Sequence, residues 1–139
     1  MGEQYTSCME PSIFTKIING ELPCHKVYED DKTIAFLTID PVRDGHTLVV
    51  PKQQVDQYID LADDDYDALW RSVKVVAAKV RNEMGKERVG VVIKGVDVPH
   101  AHVHLIPFNE GESLREGGGH SSEPDHERLA AIADRLRIT

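Results

Sequence analysis

The chain has 139 residues, 40% of them hydrophobic and 29% charged, with a net charge of −8. One domain of about 100–150 residues fits that length, the composition is globular rather than disordered, and the acidic excess argues against a nucleic-acid partner, which needs a basic footprint. No apolar run reaches the ~20 residues of a membrane span, no secretory pattern opens the chain, so a cytoplasmic location is expected, and Cys8 and Cys24 are too few for a disulfide framework.

Residues 12–20 read as a short helix, with Pro11 near its start and Gly20 as its stop. Lys26–Glu29 and Thr33–Leu37 flank Asp30-Asp31-Lys32 in a hairpin pattern. Residues 46–51 form a third strand rich in β-branched residues, after the turn signal Asp44-Gly45. From about 64 to 84, Leu69, Trp70, Val73, Val76 and Val80 recur at helical spacing, with Asp63 as N-cap and Gly85 as stop. Trp70 on that stripe is expected to face the core.

Strands follow at residues 88–94 and 100–107. Next come a glycine-rich loop through Gly111 and Gly117-Gly118-Gly119, then a last helix at about 124–136, capped by Ser122. The pattern predicts one antiparallel α+β domain over residues 1–139, with a core at about 12–108 and a C-terminal loop and helix at about 109–139.

Three of the seven histidines lie within five residues, in His100-Ala101-His102-Val103-His104-Leu105-Ile106-Pro107. On a strand, alternate side chains share a face, so His100, His102 and His104 would emerge together at ~6.6 Å intervals, with Ala101, Val103 and Leu105 facing the core. Three readings compete: a half-exposed strand that happens to be rich in histidine, a zinc site needing a further ligand, and nucleophilic attack on phosphorus by one neutral imidazole, assisted by its neighbours.

The alternation resembles the motif of the histidine triad (HIT) family of nucleotide hydrolases and transferases. Three flanking segments match in the family's order. They are Ile13-Phe14-Thr15-Lys16-Ile17-Ile18-Asn19-Gly20-Glu21-Leu22-Pro23, Ala35-Phe36-Leu37-Thr38-Ile39-Asp40-Pro41 and Gly45-His46-Thr47-Leu48-Val49-Val50-Pro51-Lys52.

The resemblance implies a HIT-like five-stranded antiparallel sheet flanked by helices, a homodimer joined through the long helix and an edge strand, and no cofactor. It also implies hydrolysis of a purine nucleoside monophosphate derivative, such as a phosphoramidate, through a nucleotidyl-histidine. His102 would be the nucleophile, oriented by the carbonyl of His100; His104 would donate to the phosphate; His46 would join His100 in a proton network. Phe14, Ile17 and Phe36 match the family's clamp on the base, with ordinary core packing as a competing role. Thr38 and Ile39 complete the implied nucleotide-binding set.

The chain departs from the pattern at four places. Thr38 stands where many members carry an Asp that grips the ribose, and Asp40, on the same face of a regular strand, is a candidate substitute. Ile93 replaces a usual Asn. The connection 94–99 lacks the usual Gln or Ser before the triad. Ser12 and Thr15 stand where zinc-carrying relatives have Cys-x-x-Cys, so no metal is expected, hydroxyls being poor zinc ligands. His25, His120 and His126 are expected at the surface.

Overall fold

The computed structural model describes residues 10–115 and 123–138. Five strands form one antiparallel sheet: β1 (Lys26–Glu29), β2 (Thr33–Leu37), β3 (Thr47–Pro51), β4 (Arg88–Val92) and β5 (Val103–Phe108), in the spatial order β1-β2-β3-β5-β4. Among the described residues three helices accompany them, α1 (Ile13–Ile18), α2 (Asp63–Met84) and α3 (His126–Leu136), with one 3-10 turn at Tyr58–Asp60. Among the described residues no helix is long and apolar enough to cross a membrane.

Local chemistry accounts for the elements. The β1–β2 turn forms because one oxygen of Asp30 accepts the backbone N–H groups of Lys32 (2.9 Å) and Thr33 (2.8 Å), as turn aspartates do. Gly45 turns the chain into β3 at φ +93°, and a Cβ there would lie 2.6 Å from Met84 Cγ, so only glycine fits. α2 ends at Gly85, whose left-handed φ of 64° lets its N–H reach the Arg81 carbonyl.

Two caps differ from expectation. Asp63 is the first helical residue of α2 rather than its cap, and with Asp64 and Asp65 places three carboxylates at the positive end of the helix dipole. The cap of α3 is Asp125, which accepts from Arg128 N–H; Ser122, His120, Gly117-Gly118-Gly119 and Cys8 lie outside the described residues.

The pleat sends alternate side chains to two faces. On one, Val27, Ala35, Leu37, Val49, Val103 and Leu105 pack against Leu69, Val73, Val76 and Val80 of α2 and against Leu129, Ile132 and Leu136 of α3. Trp70 packs at the edge of this cluster, half-buried rather than central. On the other face a smaller cluster joins Ile34, Phe36, Leu48 and Val50 to Phe14 of α1. That face is roofed by a helix of six residues, and the histidines lie on it.

Candidate active site

β5 begins at Val103, three residues later than the sequence pattern suggests. The ladder with β3 runs through Val49↔Val103, and beyond it Pro51 has no N–H with which to continue the ladder. Its carbonyl instead accepts the Nε2–H of His100 at 2.7 Å. His100 and His102 therefore lie on irregular chain, where Ala101 N–H donates to the Val55 carbonyl (2.7 Å) and His100 N–H to the Val98 carbonyl (2.8 Å).

The three rings still converge, and all are buried, contrary to a half-exposed strand. The centroids of His102 and His104 are 5.0 Å apart, and the Phe14 ring stands edge-on to His102 at 4.9 Å.

The hydrogen bonds fix the tautomers, because backbone groups have only one role each. His102 Nδ1 lies 2.9 Å from the His100 carbonyl and must donate to it, so in the neutral tautomer the lone pair is on Nε2. Val42 N–H donates to His46 Nδ1 (3.0 Å), so the His46 proton is on Nε2, which donates to His104 Nδ1 at 3.0 Å. The neutral His104 ring then carries its proton on Nε2.

The partner of His46 is thus His104, not His100, because β3 pairs Leu48 with His104 and so brings that residue alongside the start of the strand. Burial, with His104 and Arg43 nearby, pulls the pKa of His46 down to about 3. Burial likewise lowers that of His100, partly opposed by the Pro51 carbonyl.

His46, His102 and His104 border a cavity of about 520 Å³, the size of a small-ligand site. Phe14, Ile17, Phe36, Thr38 and Ile39 line it as well, so the residues expected to bind the nucleotide gather there. Phe14 and Phe36 are at once cavity wall and core of the smaller cluster, so the two competing roles coincide. Ile13, Leu22 and Ile39 leave apolar surface exposed at the rim. His100 stands behind the cavity rather than in it.

Asp40 also lines the cavity, though not through strand alternation. β2 stops at Leu37, and a turn in which Asp40 N–H donates to Thr38 Oγ1 (3.2 Å) presents Thr38, Ile39 and Asp40 together. Ile93 packs against the larger core.

A known family's model, the HIT domain, matches residues 19–111, most of the chain. It belongs to the HIT family. It is 40% identical over 105 residues to an uncharacterised HIT-like protein of Methanocaldococcus jannaschii, covering 72% of this chain and 81% of that one. It is 33% identical over 130 residues to an adenosine 5'-monophosphoramidase of Schizosaccharomyces pombe, covering 89% and 94%. A Hit-like protein from Bartonella henselae, described as involved in cell-cycle regulation, superposes with a TM-score of 0.78 at 30% identity over 91% of this chain and 94% of that one.

In this HIT protein, no three His, Cys, Asp or Glu side chains among the described residues are placed to hold a metal ion. The resemblance implies zinc ligands, where relatives carry them, at the positions of Ser12 and Thr15. Here the donors around His100 Nδ1 are two neutral hydroxyls, at 2.7 Å and 3.3 Å, already hydrogen-bonded; this set does not fit zinc.

The sequence patterns did not single out Ser12 and Thr15 as partners of His100, nor Gln54 at all. Two histidines assigned to the surface also border the cavity: His25 Nε2 lies 2.9 Å from His126 Nδ1, joining the start of α3 to the cavity wall. Contacts between residues 101 positions apart leave no periodic trace.

Proposed function

We propose that this HIT protein hydrolyses a purine nucleoside monophosphate derivative, phosphoramidate-like, at its α-phosphate through a covalent intermediate on His102. The observation that carries the reading is the orientation of His102: its Nδ1–H is spent on the His100 carbonyl, so the lone pair that attacks is the one on Nε2, beside the cavity.

In the first step a bond forms between Nε2 and phosphorus as the bond to the leaving amine breaks, and the amine takes up a proton. In the second, water attacks phosphorus, releases a proton and breaks the N–P bond, so the nucleoside monophosphate leaves and His102 is restored. His104, its Nε2 protonated through the chain from Val42 and His46, donates to the phosphoryl oxygens as negative charge builds there. Phe14, Ile17, Phe36 and Ile39 clamp the base. Thr38 and Asp40 meet the ribose, the carboxylate of Asp40 accepting the hydroxyls that a threonine accepts poorly.

The similarity to a yeast monophosphoramidase supports the substrate class. The exposed edge strand β4, with Val91 open on it, and Val75 open on α2 support a homodimer built through strand and helix. A cytoplasmic location belongs to the same reading.

Incubation with adenylated and guanylated amines and with dinucleotides, followed by mass spectrometry, tests the proposal. The expected result is turnover of a phosphoramidate and a nucleotidyl adduct on His102. Nucleotide binding with neither adduct nor turnover would instead mark a regulatory binding module.

A further inference from the structure

The residue that orients the nucleophile is itself poorly supported by the sheet. β5 starts only at Val103, so no ladder bond holds His100, yet its carbonyl must stay 2.9 Å from His102 Nδ1. Support comes from the opposite end of the chain. Ser12 Oγ lies 2.7 Å from His100 Nδ1. With the His100 proton on Nε2, facing the Pro51 carbonyl, Nδ1 accepts and the Ser12 hydroxyl donates.

The alternative acceptor for the Ser12 hydroxyl, Thr15 Oγ1, is farther away at 3.3 Å, and the remaining bonds in the cluster agree with that direction. Ser12 Oγ accepts Thr15 N–H at 3.0 Å, which is the N-cap bond of α1. Gln54 Oε1 accepts Ser12 N–H at 2.9 Å and the Thr15 hydroxyl at 2.6 Å, while Gln54 Nε2 donates to the Glu10 carbonyl at 2.9 Å. The donor-only and acceptor-only groups leave Ser12 with one free choice, its own hydrogen, and His100 Nδ1 is the nearest acceptor.

We propose that Ser12, held by Thr15 and Gln54, is a positioning residue that locks the His100 ring, and through the His100 carbonyl holds His102 in the tautomer with a free Nε2. The same hydroxyl caps the helix that carries Phe14, whose ring abuts both His100 and His102. One side chain therefore sets the nucleophile and the wall it works against. This deepens the proposed function and rests on His102 as nucleophile.

Nitrogen-15 NMR of the histidine rings and steady-state kinetics on adenosine 5'-phosphoramidate test it in the full chain. In the parent protein His100 is expected as the Nε2–H tautomer and His102 as the Nδ1–H tautomer. Ser12→Ala is expected to mix the His102 tautomers and to lower kcat about tenfold or more, the scale of other supporting bonds to functional histidines, with KM within about twofold. Ser12→Thr, which keeps the hydroxyl, restores both.

Gln54→Met removes the brace without touching the cap and shifts the same two readouts less far; it stands in if Ser12→Ala does not fold. Unchanged His102 tautomers and kcat in a folded variant would overturn the proposal. If the parent protein turns over no phosphoramidate, the nucleophile reading falls, and the tautomers still decide whether Ser12 positions His100.

Discussion

The two faces of the sheet are built from the same strands and end in opposite roles. One is covered by α2, of 22 residues, and by α3, and its inward residues are almost all aliphatic. The other is covered by six residues of α1, and where the roof stops, imidazoles and a cavity take the place of aliphatic packing. A buried polar group is costly unless hydrogen-bonded. The second face meets that condition through the Ser12–His100–Pro51, Val42–His46–His104 and His100–His102 bonds. Stability is thus concentrated on one face, and chemistry sits where the opposite one is incompletely covered.

The sharpest way to break that contrast is His102→Ala. It should lower phosphoramidate turnover by at least about 10³-fold while leaving the melting temperature nearly unchanged. A variant with near-normal turnover would remove chemistry from this ring. The mirror experiment is Leu69→Ala on the aliphatic face, where the side chain is fully buried. A loss of about 2–5 kcal/mol in denaturant unfolding is expected, with kcat within about twofold at temperatures where the variant is folded.

Acid should separate the faces as well. His46 is neutral in the folded protein with its pKa near 3, whereas unfolded it takes a proton near pH 6.5. Its contribution is whole above about pH 6.5 and falls as the pH drops towards 3, by about 3 kcal/mol at pH 4. His100, also lowered by burial, acts in the same direction. Melting curves across pH 4–7 should show this loss, and His46→Gln should flatten it. The smallest effect concerns the rim: Asp40→Ala should raise KM about tenfold, the scale of a hydrogen bond to a charged acceptor, with kcat little changed.

The aliphatic face was largely legible in advance. Helical spacing located α2 to within one residue at its start, and the hairpin β1–β2 fell where the turn residues pointed, because both signals are local. The histidine face was legible in its membership and less so in its wiring. Strand alternation foretold that His102 and His104 would meet, yet β5 begins late because Pro51 cannot extend the ladder. The resemblance implies His100 as the partner of His46, but register decides the partner, and β3 sets Leu48 against His104. The turn after Leu37 likewise replaced an expected strand face with three consecutive residues on the cavity.

Sequence alone determined what lies within a few residues of chain: the periodic stripes, the turn glycines, the histidine alternation and the family those motifs mark. Only the tertiary structure decided which nitrogen of each imidazole holds its proton. A tautomer is set by the nearest group in space that can only donate or only accept, and for His100 that group is the carbonyl of Pro51, 49 residues away.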